Sequence, residues 1–342
     1  MKTVIAGDIG GTKTLLQIVK LEPQSKIYDI IFEKRYACQS YHTFEAILTD
    51  FINIVIQKFA LKPASINACF AIAGPISSTD NSQTAKVTNL TWQLDTQALI
   101  TNYHFSDVTL INDFEAIAHG LSTLTHSDFF QLQSGKINTS APKIILGAGT
   151  GLGVCQIIYH ATGYNVIASE GGHCDFAPNN EQQIELLRYL LTRYSHLSYD
   201  RLLSGMGINN IFYFLVEQTN QHNADFVKLV NQSLDPAASI SNAFKNDPLA
   251  EETIKIFLSL YGAQAGNLAL TSLAYGGVYL AGGIAPKLIE QFELPHFLNA
   301  FKHKGRMSQL MSDFPINVIM NTDVGVRGAA VVAERLSKTK TS

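Results

Sequence analysis

Four cysteines in 342 residues, Cys38, Cys69, Cys155 and Cys174, are too scattered to form a CxxC pair or any other metal spacing. That excludes a disulfide framework and a zinc site, and leaves four thiols expected to be free and in the core. Charge is equally sparse. Charged residues make up 15 % of the chain, the formal net charge is −3, and no basic block gives the electrostatic footprint of a nucleic-acid binder. Small ligands are the expected partners. The amino terminus lacks the charged and apolar regions of a signal peptide, because a strand pattern begins at Thr3, so residence in the cytoplasm is expected. No long hydrophobic run survives inspection either. The charge-free stretch from Ile256 to Pro286 is interrupted by Gln264, Asn267, Thr271 and Ser272 and broken at Tyr275-Gly276-Gly277. It reads as a buried helix feeding a short strand, Val278 to Ala281, and not as a membrane span of about 20 apolar residues.

What is present is a glycine-punctuated α/β pattern in a chain long enough for about two domains. The apolar run Thr3 to Ala6 leads into Gly7-Asp8-Ile9-Gly10-Gly11-Thr12 and out through Lys13-Thr14, with Leu16, Ile18 and Leu21 returning as a second strand. Gly10 and Gly11 can adopt φ > 0 and carry no side chain, so backbone N–H groups can turn inward together and approach an anion closely. Asp8 would repel a phosphate unless a divalent cation lay between them, and Mg²⁺ held through a carboxylate and waters is the usual arrangement with nucleotides. An ordinary hairpin turn is the structural alternative. A Walker A loop is excluded, because it would need glycine where Thr12 stands and a helix after it.

Further along, Ile27 to Tyr36 reads as a strand, Phe44 to Phe59 as a helix, Ile66 to Ala73 as a strand, Thr96 to Tyr103 as a helix, Val108 to Ile111 as a strand and Phe114 to Leu121 as a helix. A polar, weakly periodic section, Thr123 to Pro142, places a boundary near Ser122 or Thr123. Lys143 to Leu146, a turn over Gly147 to Gly153, and Val154 to Tyr159 then repeat the strand-glycine-strand logic. Helices dominate from Glu181 to Ser272. The strand Asn317 to Met320 and the helix Ala329 to Leu336 could return to the first lobe. The expected lobes are therefore 1–122 with 322–342, and 123–321.

Several constellations carry chemistry. Gly147-Ala148-Gly149-Thr150-Gly151-Leu152-Gly153 fits no frame of GxGxxG and is followed by a strand, so a second phosphate cradle is the better reading. Asn112-Asp113 lies just past a strand, where ligands meet open α/β sheets. Asn112 and Glu115 also make a capping-box-like N-x-x-E pattern, so helix punctuation is the competing account. The functional account makes Asp113 a base that accepts a hydroxyl proton. Glu170-Gly171-Gly172-His173 offers acid, amide and imidazole groups suited to sugar hydroxyls, against a glycine turn with a core histidine. Asp200-Arg201 is open between a ligand contact and a solvated pair. Gly282-Gly283 is open between close backbone packing and a seat for adenine.

Taken together, Gly7 to Thr12, Ala73-Gly74-Pro75-Ile76, Thr88-Asn89-Leu90-Thr91-Trp92, Ile111-Asn112-Asp113-Phe114, Gly147 to Gly153, Glu170-Gly171-Gly172-His173, Asp175-Phe176-Ala177-Pro178, Arg201-Leu202-Leu203-Ser204-Gly205, Ala281-Gly282-Gly283 and Lys304-Gly305-Arg306 resemble bacterial glucokinase in order and spacing. The resemblance implies an α/β, two-lobed, actin-like ATPase fold of the hexokinase type, RNase H-like in its lobes, with the active site in the cleft between them. It implies phosphoryl transfer from ATP, with Mg²⁺, to the 6-hydroxyl of glucose, and lobe closure. By the same resemblance Asp113 matches the catalytic base; Asn89, Asn112, Asp113, Glu170, His173 and Asp200 match sugar ligands. Gly7, Asp8, Ile9, Gly10, Gly11, Thr12, Gly149, Thr150, Gly282 and Gly283 match the ATP site, with Asp8 serving Mg²⁺ through water. Members of the family commonly pair as homodimers. Two departures stand out: Lys13 replaces the asparagine of many glucokinases, and Asp200 replaces a glutamate, so its shorter side chain is expected to weaken a sugar contact. The related repressor-kinase family carries a cysteine-rich zinc segment that has no counterpart here.

Overall fold

The first apolar run is longer than its β-branched centre. β1 spans Lys2–Ile9 and carries Gly7 and Asp8 inside the strand, so the turn shrinks to Gly10-Gly11-Thr12 before β2 (Lys13–Glu22). Pairing with β2 runs without interruption from Lys2↔Leu21 to Ile9↔Thr14, and the ladder bonds it supplies outweigh the weak strand propensity of glycine and aspartate. The computed structural model describes residues 2–22, 27–80, 82–219 and 223–336. It divides into two compact units, one formed by the chain up to His126 together with the segment from Asn321, the other by Ser127–Met320. Of the expected carboxyl-terminal segment 322–342, residues 337–342 lie outside the described residues.

In the first unit the chain continues through β3 (Ile27–Ala37), α1 (Phe44–Phe59), β4 (Asn67–Ile72), β5 (Ile76–Ser78), β6 (Gln83–Lys86), β7 (Gln93–Asp95), α2 (Thr96–Tyr103), β8 (Asp107–Asn112) and α3 (Asp113–Gly120). α1 starts where Thr43 accepts the Ala46 N–H and stops at Ala60 in the left-handed region. Its buried positions, Phe44, Ile47, Leu48, Phe51, Ile52 and Val55, recur at helical spacing and pack on Ile5, Ile9 and Phe70. Each of those large side chains contributes about 1.5–3 kcal/mol on burial. The sheet order is β3-β2-β1-β4-β8, with β1, β4 and β8 mutually parallel. β5, β6 and β7 form a small sheet that the sequence pattern does not announce, because its strands are three or four residues long and mostly polar. Gln83 in it covers the open edge of β8: its Oε1 accepts the Leu110 N–H at 2.9 Å and its Nε2 donates to the Leu110 carbonyl at 3.1 Å, as a neighbouring peptide would.

The second unit opens with β9 (Phe129–Gln133), an edge strand inside the section expected to be polar and weakly periodic. β10 (Lys143–Ala148), β11 (Leu152–His160) and β12 (Gly163–Ser169) follow, then the helices α4 (Glu181–Leu191), α5 (Gly205–Gln218), α6 (Ala224–Gln232), α7 (Pro236–Asn242) and α8 (Pro248–Ser272). β13 (Gly277–Ala281), the short α9 (Ile289–Phe292), α10 (Pro295–Lys302), α11 (Ser308–Met311) and β14 (Ile316–Ile319) complete it. Its sheet runs β12-β11-β10-β13-β14-β9, so five of the six strands repeat the hairpin-then-parallel order of the first sheet. α8 is buried over most of its circumference. Among the described residues no helix is long and apolar enough to cross a membrane. α12 (Val324–Leu336) belongs to the first unit, where Val326, Ala329, Ala330 and Ala333 pack against Val4, Ala6 and Ala71. Three of the thiols are buried as expected, but Cys174 is exposed because it follows His173 on a surface loop.

Candidate active site

Each hairpin turn presents two unpaired backbone donors. In the first, Gly10 N donates to the Lys13 carbonyl at 3.1 Å, and among the described residues no protein acceptor meets the N–H groups of Gly11 and Thr12. Neither Gly10 nor Gly11 has a positive φ, which corrects the expectation of a left-handed turn and leaves the missing side chain as the reason for glycine. At Gly11 the reason is close approach, since a Cβ there would stand 2.8 Å from the Thr88 carbonyl oxygen. Gly7 is likewise required by packing, with Phe70 and Leu16 at 2.7 and 2.8 Å from its missing Cβ. Gly7 and Ile9 face the core and support the turn from beneath. Lys13, the first residue of β2, is exposed.

The register of the parallel strands sets the acidic groups. Ile9, Ile72 and Asn112 are cross-strand partners, so β1, β4 and β8 end level with one another. Asp8 leaves the face of β1 that packs on α12, and a Cβ on Gly325 would lie 3.0 Å from its Oδ2. Burial, then the negative charges of Asp113 and Asp323, push the Asp8 carboxyl up from 3.8 to about 6, with Arg35 opposing. Arg35 itself is paired with Asp323, Nη2 to Oδ1 at 2.8 Å. Asp113 is the first residue of α3, and Asn112 is its cap: the Phe114 N–H donates both to Asn112 Oδ1 and to Asp113 Oδ1, each at 2.9 Å. The helix-punctuation reading of Asn112 thus holds, although Glu115 sits beside His119, at 3.9 Å, in an i, i+4 pair. Asp113 stays half-buried at the sheet's carboxyl edge.

Asn89 joins this group. It has φ 64°, a left-handed conformation that asparagine tolerates better than most residues and that recurs at functional sites. Its Cβ lies 3.5 Å from the position a Gly11 Cβ would take, so the Thr88–Leu90 bend rests against the first turn. The bend is anchored by buried Val87 and Trp92, joined by a 3.1 Å bond from Val87 N to the Trp92 carbonyl.

In the second unit, Gly149 N donates to the Gly151 carbonyl at 2.9 Å, and among the described residues the N–H groups of Thr150 and Gly151 meet no protein acceptor. The turn is shorter than expected, because Gly147 and Ala148 belong to β10 and Leu152 and Gly153 to β11. Gly149, Thr150 and Gly283 border one cavity of about 730 Å³, with Phe244, Ile284 and Leu288 among its apolar groups. The paired glycines after β13 divide the two readings between them. Gly282, at φ 80°, packs with its missing Cβ 2.4 Å from the Ala148 carbonyl oxygen, whereas Gly283 has nothing within 4 Å and opens on the cavity.

Glu170 and His173 are both exposed, so His173 is no core histidine; their charged atoms lie 3.9 Å apart. Their loop is fastened by a bond from His173 N to the Glu170 carbonyl at 2.9 Å, and Gly172 presses on β11, with the Leu152 carbonyl oxygen 1.9 Å from where a Cβ would be. Asp200 reaches the same residue: its Oδ1 accepts the Leu152 N–H at 2.7 Å. The sequence carries no signal for Leu152, Asp323 or Gly325, since an aliphatic, an ordinary acid and an isolated glycine acquire their place only through pairing and packing.

A family model described as Glucokinase matches residues 5–336. A glucokinase of Nostoc punctiforme is 43 % identical, over 98 % of this chain and 100 % of that one. Among solved structures, a glucokinase from an Antarctic psychrotroph superposes with a TM-score of 0.83 at 25 % identity, covering 98 % of this chain and 99 % of that chain. A ROK family glucokinase from Streptomyces griseus, in complex with glucose and AMPPNP, gives a TM-score of 0.65 at 20 % identity, over 98 % of this chain and 100 % of that chain.

Proposed function

The chain belongs to the glucokinase family and is a sugar kinase, and from that premise we propose that it transfers the γ-phosphoryl group of ATP to the 6-hydroxyl of D-glucose. Asp113 takes the hydroxyl proton as the oxygen attacks phosphorus. Its carboxylate is oriented by the Phe114 N–H, which fixes the side chain at the start of α3. Asn112, Glu170 and His173 bind sugar hydroxyls, and Asn89 shapes the bend beside the first turn. The open N–H pairs of Gly11-Thr12 and Thr150-Gly151 hold phosphate oxygens, and the cavity beside Gly283 takes the base.

A magnesium ion fits this arrangement at Asp8, where burial and the negative charges of Asp113 and Asp323 raise the cost of ionising the Asp8 carboxyl. Among the described residues no group of three or more His, Cys, Asp or Glu could hold a metal ion, which accords with an ion held by one carboxylate, waters and phosphates. When bound, it would neutralise charge on the phosphates.

The observation that carries the proposal is the level ending of β1 and β8, which brings Asp8 and Asp113 to one sheet edge beside two unpaired donors. The test is ADP release by the purified protein across a panel of hexoses, with the product identified. Glucose-dependent ADP formation and glucose 6-phosphate are expected; a different preferred hexose would move the specificity, and no hexose-dependent turnover would overturn the reading. The same assay bears on Lys13. Lys13 is exposed and directly follows the phosphate turn; if its ammonium contacts phosphate, Lys13→Ala is expected to raise the KM for ATP by about 3- to 10-fold, the worth of one exposed charge contact, and to leave the KM for glucose alone. Unchanged ATP kinetics would rule the contact out.

A further inference from the structure

We propose that Asp200 is a positioning residue that locks the Gly149–Gly151 turn for nucleotide binding and ties it to the Glu170–His173 loop. The inference rests on the reading of that turn as a phosphate cradle. Asp200 Oδ1 accepts the Leu152 N–H at 2.7 Å, at the point where the chain leaves the turn. At the point where the chain enters it, Gly205 N donates to the Gly149 carbonyl at 2.9 Å. The two fastenings are five residues apart and are themselves joined, because buried Ser204 donates from Oγ to the Asp200 carbonyl at 2.8 Å and caps α5 through the Gly207 N–H. One short segment therefore spans the turn and holds both its ends.

A Cβ on Gly151 would stand 2.5 Å from Asp200 Oδ1, so a larger residue there would displace that carboxylate from the Leu152 N–H. On the other side of the same residue, Gly172 lies directly against the Leu152 carbonyl oxygen. Leu152 is thus gripped by Asp200 through its N–H and by the Glu170–His173 loop through its carbonyl. The length of the side chain now has a reason. A glutamate would carry its carboxylate about 1.5 Å further from the same backbone, past the donor that Asp200 meets at 2.7 Å, so the loss of one methylene makes the bond to the turn. With Leu152 N–H and Gly149 N–H both engaged, the unpaired donors of Thr150 and Gly151 are held in one orientation before any ligand arrives. Preorganised donors of this kind improve binding by sparing the ligand the cost of ordering them.

The test measures MgADP affinity without sugar, by titration calorimetry, beside the KM for ATP and for glucose. Asp200→Ala is expected to weaken MgADP about 10- to 100-fold, the range for a lost charge-assisted hydrogen bond. Asp200→Asn, whose Oδ1 still accepts the Leu152 N–H, is expected to recover most of that affinity, which a role as a charged sugar ligand alone would not produce. Gly151→Ala is expected to weaken MgADP on its own, and less than additively when combined with Asp200→Ala, since both release the same clamp. If Asp200→Ala does not fold, the pair Asp200→Asn and Asp200→Glu decides, with only the glutamate losing nucleotide affinity. Unchanged MgADP affinity in Asp200→Ala or Asp200→Glu, with only the KM for glucose moved, overturns the proposal and leaves the functional reading standing. Failure of the unsubstituted protein to bind MgADP overturns both.

Discussion

Asp113→Asn is expected to fold, to bind glucose and to lose about 10²- to 10⁴-fold in turnover, the usual cost of removing a general base. The substitution is chosen because asparagine has the same shape and keeps an oxygen where Asp113 Oδ1 accepts the Phe114 N–H. The Asn112 cap, which accepts that same N–H, is untouched, so the start of α3 has no reason to move. What changes is the ability to take a proton. A neutral amide cannot accept the hydroxyl proton as the oxygen attacks, and the barrier for that step rises accordingly. Because the loss is confined to the transition state, the turnover number should fall while the KM for glucose stays within a few-fold. The variant carries an internal control: Asp113 is one of the charges that push the Asp8 carboxyl up, so its neutralisation should bring Asp8 back toward 3.8 even where turnover is lost. Near wild-type turnover in the purified variant would sink the assignment of Asp113 as base.

Local pattern made the elements around these groups legible, and pairing made their neighbours illegible. The bounds of α1 and α2 follow from helical spacing and their capping residues, Thr43 and Asp95. The strands β4 and β13 stand out as apolar runs because parallel central strands are buried on both faces, and β8, at the sheet edge, as the shorter run Val108 to Ile111. β5 to β7 are too short and polar for a local period to mark them, and β9 is an edge strand paired with β14 far along the chain. The repeat of the hairpin-then-parallel order in the two sheets shows the same limit. The glycine centres hint at it, but strand order is a property of hydrogen bonding between distant segments.

Among the site residues, the sequence is informative about chemistry and silent about cause. Gly10 and Gly11 read as conformational glycines, yet neither has a positive φ, and Gly11 is small because Thr88 passes beneath it, whereas Gly282, read as close packing or an adenine seat, does adopt a positive φ. Asn89 carries the left-handed conformation that the glycines were expected to have. Asp200 is the sharpest case. Its identity as an aspartate where the family pattern has glutamate reads as a weakened sugar contact, and no local signal announces that in the folded chain its carboxylate accepts the Leu152 N–H.

Asp8→Asn is expected to make the ligand-free protein more stable at neutral pH and above, by up to about 3 kcal/mol, while removing most activity. The figure is the shift from 3.8 to about 6 converted at about 1.36 kcal/mol per unit, an upper bound for a carboxylate that keeps some solvent contact. The sign follows from which state holds the proton more tightly. Below 3.8 the carboxyl is protonated in both folded and unfolded chains, and the substitution changes little. As pH rises from there to about 6, the unfolded chain ionises freely while the folded one must either keep its proton or bear a desolvated charge beside Asp113 and Asp323. Stability of the wild type is lost across that window, and above it the full cost is present. The neutral amide bears none of it. Urea titrations of both proteins should therefore show a gain for the variant at pH 8 that falls to about half at pH 5. Added MgATP should close the gap from the other side, stabilising the wild type by about 2.7 kcal/mol at a hundred times its dissociation constant and the variant far less. A variant no more stable than wild type at pH 8, or a gain that does not shrink toward pH 5, would show that Asp8 is not held at an electrostatic cost in the folded chain.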